Sequence, residues 1–551
     1  MASHDSEREN MLLNESEPRP LASLKVLIVD DQEPMRRIVQ ASLSRLGVRD
    51  VVLAGSAQEA LVSMQSHAID LVLCDYWLGV GTDGQQLLEA ARGARLLNPL
   101  CPWIFVTANS NRSAVMAAGD YAPDAYIVKP FDDRLLLSYI ASACARKSAL
   151  APLLLAVDAG KWEQALEIAE HHAKRSDVLR VEGIRYQAHA LMKLGRFEEA
   201  RQACSSALRM NSELGWASLG RAQALRALGQ VGLARAAVER LVKDQPDYAA
   251  AYDALLDMLD EQGDQDAALA IAQAAADLVP NAKRKLRLGT VALRAGRPDV
   301  AVTALEQAVA RNRHSVTRSH REGVLLAQAL VDSGDPARAL AVATEVARHY
   351  PGHAAAQTLC KAIHVQGLAQ GGSTEEATAL MDDIESSPVP AALDDDGRLL
   401  LAKTALAAGR VAFGRELVET VARNNTDKPL MLAAALRVAD GSAQEDACKQ
   451  WVERAGAEVE QALRDLRQAK RDGDFARAIA VAETALAQSP KHFTVLIELC
   501  TLYLVAMPRL GQAEEHAARA LALLAQLEEC HPNHDRVAAA RRFCRERLVQ
   551  A

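Results

Sequence analysis

A glycine followed five residues later by an alanine recurs along most of this chain. It stands in AGKWEQA at 159–165, LGRFEEA at 194–200, LGQVGLA at 228–234, QGDQDAA at 262–268, AGRPDVA at 295–301, SGDPARA at 333–339, GGSTEEA at 371–377 and DGDFARA at 472–478. AGRVAFG at 408–414 is the same phrase with a glycine in the alanine's place. The glycines at 160, 195, 229, 263 and 296 are 35, 34, 34 and 33 residues apart, and the next steps, to 334, 372 and 409, are 38, 38 and 37. Helical patterns flank each phrase. A glycine that tolerates a left-handed backbone therefore ends one helix, and the next begins a few residues on. A period near 34 restricts this part of the chain to stacked helix pairs, each burying its apolar side against its neighbours. Half of the 551 residues are apolar and only 4% are aromatic, a mix that favours packed helices over sandwiches or barrels.

The phrase resembles that of tetratricopeptide repeats. It runs through 150–350, weakens over 351–425 and returns at 456–490. Phe197 is expected to pack at a turn, while Ala200 and Ala207 keep two helices close. Pro246, Pro280, Pro351 and Pro490 fall where one repeat hands over to the next, as the family's proline does. Residues 426–455 lack the phrase but keep helical periodicity, and are expected to be a degenerate repeat. A further pair is expected at 493–527, for about ten or eleven in all. The resemblance implies an all-α superhelix whose concave face holds a protein or peptide. The longer steps imply longer turns or helices. His171 and His172 are expected to be a solvated pair, and Cys530, His531 and His534 ordinary loop residues.

The first 150 residues follow a different rule. Short apolar runs at Lys25–Val29, Val51–Ala54, Leu71–Cys74, Trp103–Val106 and Ala125–Val128 alternate with helical patterns at Pro34–Leu46, Ala57–Gln65, Gly84–Leu96, Asn111–Ala118 and Arg134–Ala145. Strict alternation means a parallel sheet covered on both faces, with ligands beyond the carboxyl ends of its strands. Polar residues stand at that edge: Asp30 and Asp31 after VLIV, Asp75 after LVLC, Thr107 ending IFVT, and Lys129 before Pro130 after AYIV. Clustered carboxylates repel one another. A hard divalent cation such as Mg²⁺ relieves that and leaves room for a phosphoryl group, with Asp75 as the nucleophile.

Order, spacing and strand context together make residues 24–147 similar to a response-regulator receiver domain. The resemblance implies a flavodoxin-like α/β fold, a five-stranded parallel sheet of order 2-1-3-4-5. It makes Asp75 the phosphoacceptor. Asp30, Asp31, Asp75 and the backbone carbonyl of Trp77 become ligands of Mg²⁺ or Mn²⁺. Thr107 and Lys129 become the phosphoryl-binding pair, and Tyr126 the aromatic that follows the hydroxyl. Trp77 and Asn109 flank the path of an attacking water and are expected to tune dephosphorylation. The loop DYWLGVGTDG departs from the family. Gly79 replaces the usual proline, and Gly84 falls nine residues after the acceptor, one later than usual.

The expected organisation is a disordered tail at 1–22, a receiver at 23–148, a repeat solenoid at 149–530 and a capping helix at 531–551. The receiver's last helix, 134–147, is expected to run almost unbroken into the first repeat helix, 149–159, so that the receiver docks on the solenoid. The formal charge of −8 speaks against a non-specific nucleic-acid binder. No apolar run reaches the ~20 residues of a membrane span, and the polar, acidic start lacks the pattern of a signal peptide. Nine scattered cysteines suit reduced thiols in the cytoplasm. The expected function is that of a two-component response regulator, phosphorylated by a sensor histidine kinase or phosphotransfer protein. Its output is protein binding rather than DNA binding, and it catalyses nothing beyond its own phosphorylation and dephosphorylation. The alternatives are a phosphate sink or relay intermediate localised by its repeats, and a constitutive repeat scaffold.

Overall fold

The structure is a computed structural model that describes residues 20–79, 83–107, 123–175, 179–313, 318–370, 373–510, 513–531 and 534–550. Of the expected tail only 20–22 are described, and Leu21–Ser23 form a short 3-10 turn. The helix expected at Asn111–Ala118 lies outside the described residues.

Five strands, β1 (Lys25–Val29), β2 (Asp50–Ala54), β3 (Leu71–Cys74), β4 (Trp103–Thr107) and β5 (Ala125–Val128), form one parallel sheet in the order β2-β1-β3-β4-β5. This is the expected order. Side chains alternate between the two faces. Val26 and Ile28 pack under helices 33–45 and 133–149, while Leu27 and Val29 join Val72, Phe105 and Leu87 on the other side. The register sets the functional edge. Val29 pairs with Cys74, so Asp30 and Asp75 leave the sheet side by side. Thr107 pairs with Val128, so Lys129 leaves beside Thr107, and its amide donates to the Thr107 carbonyl at 2.8 Å.

From residue 151 on, every described element is a helix. Gly160, Gly195, Gly229, Gly263, Gly296, Gly334, Gly409 and Gly473 all hold φ between +65° and +85°. At Gly195 the full hydrogen-bond signature is present. Its amide donates to the Met192 carbonyl and the Arg196 amide to the Leu191 carbonyl, so two orphan carbonyls of the finished helix are satisfied. Ala200 and Ala207 are fully buried, and Phe197 nearly so. The repeat glycine is therefore a stop signal, and the alanine is fully buried between helices.

The chain forms two compact units. One runs to Ala254 and takes in Ala310–Arg318. The other comprises Leu255–Val309 and Ser319–Ala551. In the first, the receiver's last helix does not run straight into the repeats. Asp133–Ala149 and Ala151–Asp158 are bent by 68°. Pro152 in the first turn of the second helix has no amide to give and crowds the carbonyl of Ser148, which breaks the ladder. The receiver still packs on the first repeat, where Leu100 lies against the cluster around Leu150 and Leu153. His172 is buried against the neighbouring helix rather than solvated, while His171 is exposed. Gly183 makes this possible, because a Cβ there would come within 2.5 Å of the Ala173 amide nitrogen.

In the second unit two of the three longer repeat steps have visible causes. Helix Ala354–Gln370 is 17 residues long, and a short extra helix, Val389–Ala392, is inserted before Asp395–Ala407. The segment expected to be a degenerate repeat is not a helix pair of ordinary size. It holds a nine-residue helix, Pro429–Arg437, and then the start of a 27-residue helix, Glu445–Arg471. Cys448, Val452, Ala455, Val459, Leu463 and Leu466 are buried at helical spacing along it, so one unbroken stripe carries the helix through into the next repeat. Farther on, His531 and His534 stack against Phe493, with ring centroids 5.0 and 4.0 Å away. Among the described residues no single helix is long and apolar enough to cross a membrane.

His492 caps helix Phe493–Leu510. Its Nδ1 accepts the Val495 amide at 3.2 Å, and its Nε2 lies 2.7 Å from Thr426 Oγ1. An Nδ1 that accepts is unprotonated, and burial pushes the imidazole pKa below its ordinary 6.5. The unfolded chain therefore takes up this proton first. The stability contributed here is present above about pH 6.5 and is lost as pH falls through the lower folded value. Melting temperatures of the full chain should fall between pH 7.5 and 5.0. The fall should be smaller in His492→Asn, which keeps a capping acceptor but does not titrate.

Candidate functional site

The carboxyl edge of the receiver sheet gathers the predicted residues unevenly. Lys129 Nζ lies 2.8 Å from Asp30 Oδ2 and 2.6 Å from Asp75 Oδ2, so one ammonium bridges two strand-end carboxylates. Asp30 is 3% exposed and Asp75 8%, which makes that bridge necessary, because two buried carboxylates repel each other. Their other oxygens are also held: Asp30 Oδ1 accepts the Gln32 amide at 2.9 Å, and Asp75 Oδ1 accepts the Trp77 amide at 3.2 Å. Burial raises the Asp75 pKa, and the bond to Lys129 offsets part of that rise. Burial alone would lower the Lys129 pKa, but Asp30 and Asp75 reverse it and hold the amine protonated above its ordinary value.

Asp31 stands apart from this trio. It is exposed and lies against Gly79, where an added Cβ would come within 3.0 Å of Asp31 Oδ2. Gly79 has φ +75°. The glycine in place of the family's proline thus meets two needs, a left-handed backbone and room for a carboxylate. Among the described residues no three Asp, Glu, His or Cys side chains are gathered as a ready metal site. The ammonium does the charge balancing that clustered acids suggested for a metal. In kind, the carboxylates of Asp30, Asp31 and Asp75 fit Mg²⁺ or Mn²⁺, which favour oxygen donors.

Thr107 is buried at the end of β4, and Tyr126 is buried on β5. Burial pushes the Tyr126 hydroxyl well above its ordinary range, so it is protonated at any working pH. Asn109 lies outside the described residues. Trp77, whose amide bonds Asp75, is 51% exposed.

Residues 26–141 match the family described as response regulator receiver domain. The chain is 35% identical over 113 residues to the chemotaxis protein CheY of Pseudomonas aeruginosa, covering 20% of this chain and 90% of that one. The chain belongs to the response regulator receiver family. The CheY1 protein of Helicobacter pylori is 34% identical over 113 residues, again 20% of this chain and 90% of that one. Among solved structures, CheY4 of Vibrio cholerae is 25% identical, covering 22% of this chain and 98% of that one, with a TM-score of 0.20. A CheY-like receiver from Methanospirillum hungatei is 31% identical, covering 23% and 97%, with a TM-score of 0.21. Residues 191–259, 286–322 and 324–359 match tetratricopeptide repeats. The chain is thus a response regulator with a protein-interaction region.

Two features of this response regulator escaped the sequence. The first is a row of rings. Trp77 meets Tyr76 edge-on at 5.4 Å, Tyr76 meets Phe105 at 5.5 Å, and Phe105 lies 5.5 Å from Tyr126. The row joins the flank of Asp75 to Tyr126. The aromatics of DYW and IFV were visible, but only the β3–β4 pairing puts them in line. The second is the end of the loop after Asp75. Asp83 and Gln86 form a capping box at the start of helix Gly84–Gly93, and Gln86 Nε2 donates to Asn312 Oδ1 at 3.2 Å. Asn312 is 226 residues away, so no local pattern announces the contact.

Gly79→Ala should cost about 1–2 kcal/mol from the left-handed backbone. It should also weaken Mg²⁺ binding, because its Cβ presses on Asp31. Gly47→Ala, at φ +91° with nothing within 4 Å, carries the strain without that contact. Urea unfolding should show a loss in both variants. Mg²⁺ titration followed by tryptophan fluorescence should show weaker binding in Gly79→Ala alone.

Proposed function

We propose that this response regulator accepts a phosphoryl group on Asp75 from the phosphohistidine of a sensor kinase or phosphotransfer protein, and that its repeats pass the signal on by binding a protein. The position of Asp75 carries the proposal. It is a buried carboxylate at the end of the central strand, held by Lys129 on one oxygen and by the Trp77 amide on the other. A carboxylate oxygen attacks phosphorus, the P–N bond of the donor breaks, and the imidazole leaves with a proton from solvent. Lys129 neutralises one phosphoryl oxygen, and the Thr107 hydroxyl donates to another. Asp30, Asp31, Asp75 and the Trp77 carbonyl would hold Mg²⁺ or Mn²⁺, which when bound supplies further charge neutralisation to the same oxygens.

The new group adds a charge of about −1.5 to −2. It competes with Asp30 for Lys129 and draws Thr107 inward, and Tyr126 follows into the space vacated. Two contacts in the first unit support a route outward. One is the packing of Leu100 at the first repeat, and the other is the Gln86 bond to Asn312. Self-phosphorylation and dephosphorylation are the only chemistry we assign. The net charge of −8 supports a protein rather than DNA as the target. The free thiols suit the cytoplasm.

Acyl phosphate should label the wild type on one residue and leave Asp75→Ala unlabelled, as read by mass spectrometry. A protein captured from lysate on the full chain should change its affinity at least about fivefold on labelling. Equal affinities with and without acyl phosphate would reduce the receiver to a phosphate sink or a relay intermediate.

We propose that the Trp77 ring, half exposed and two residues after Asp75, shields the acyl phosphate from water. Trp77→Ala should therefore shorten the phosphoryl lifetime. An unchanged rate of phosphate release would remove that role.

A further inference from the structure

Two buried thiols meet in the second unit. Cys500 on helix Phe493–Leu510 is fully buried, and Cys544 on helix Asp535–Gln550 is 1% exposed. Their sulfurs lie 4.0 Å apart, across 44 residues of chain. Cys448, by contrast, faces the carbonyls of Ala435 and Leu436.

Packing explains both the pairing and its access. Helix Asp535–Gln550 carries five arginines and one apolar stripe. Val537, Ala540 and Cys544 are buried along that stripe at helical spacing, with Phe543 and Leu548 partly buried beside them. Val, Ala and Cys are small, so the stripe buries little apolar area. A helix held on one narrow side opens more readily than one buried all round, and its opening uncovers both sulfurs. The Cys500 thiol faces two acceptors, the Ala520 carbonyl at 3.4 Å and Cys544 Sγ. The hydrogen bond to Cys544 Sγ lowers the Cys544 pKa below its ordinary value and favours its thiolate, the form that attacks an oxidant.

We propose that Cys500 and Cys544 are a site of reversible disulfide formation, with hydrogen peroxide as the oxidant. As the helix lifts, the Cys544 thiolate attacks one peroxide oxygen. The O–O bond breaks, hydroxide leaves and Cys544 becomes a sulfenic acid. When the helix settles, the Cys500 sulfur attacks the Cys544 sulfur, the S–O bond breaks and a second hydroxide leaves. The two thiol protons turn both hydroxides into water, and the two sulfurs together give up two electrons. The sulfurs close from 4.0 Å to the ~2.05 Å of a disulfide, a shift open to a helix held by a single stripe. The bond staples helix Asp535–Gln550 to helix Phe493–Leu510.

Hydrogen peroxide added to the reduced full chain, without denaturant, should join the peptides of Cys500 and Cys544 with the loss of two hydrogens, as read by mass spectrometry. Dithiothreitol should restore both thiols. Hydrogen exchange in helix Asp535–Gln550 should slow about tenfold or more after oxidation. Cys530 is exposed and supplies the control, so Cys530→Ser should leave the crosslink unchanged. Cys500→Ala should stop Cys544 at the sulfenic acid, which dimedone traps, while cooperative melting persists. A crosslink that forms only in urea would overturn the proposal, because the pair would then arise from unfolded chain. Thiols at 500 and 544 that stay reduced while Cys530 oxidises would also overturn it. Unchanged exchange in the crosslinked chain would overturn the staple.

Discussion

One ammonium between two buried carboxylates organises the receiver's working edge. Lys129 reaches Asp30 and Asp75 from the opposite side of the central strands. Without it the sheet would end in like charges that neither burial nor solvent could offset. Strand register makes the bridge possible, because β1 and β3 end level and β5 ends level with β4. The same bridge makes the edge responsive. A charge placed on Asp75 must renegotiate with Lys129, and Thr107 and Tyr126 stand on the two strands nearest that exchange.

The repeats rest on a different constraint, the handedness of single residues. Eight repeat glycines hold left-handed backbone at the ends of their helices, and buried alanines a few residues on set the helix spacing. Local chemistry of this kind propagates without long-range instruction, which is why each pair can be read alone. Where the phrase lapses, between 415 and 471, packing takes over. A long stripe of buried residues produces one 27-residue helix, and the short helix before it turns back onto earlier repeats.

Much of this was legible in the sequence. The strand order followed from alternation and the family resemblance, and Asp75, Asp30, Thr107 and Lys129 stand at the strand ends where the apolar runs stopped. Other features were not legible, each for a physical reason. The 68° bend after Ala149 depends on how Pro152 meets the preceding turn. His172 looked solvated beside His171, yet it is buried because Gly183 lets the next helix close over it. The separation of Asp31 from Asp30 and Asp75 depends on the loop around Gly79, which no periodicity describes.

By itself the sequence determined the two architectures and the residues at each functional edge, because apolar period, glycine placement and strand-end polarity are local properties. Only the tertiary structure decided which charges meet. It put Lys129 between two acids, aligned four aromatic rings from one loop and two strands, brought Gln86 to Asn312, and laid helix Pro429–Arg437 against the turns at Gly263 and Gly296. Those contacts join residues far apart in the chain, and their energies come from burial and charge pairing that exist only once the elements have packed.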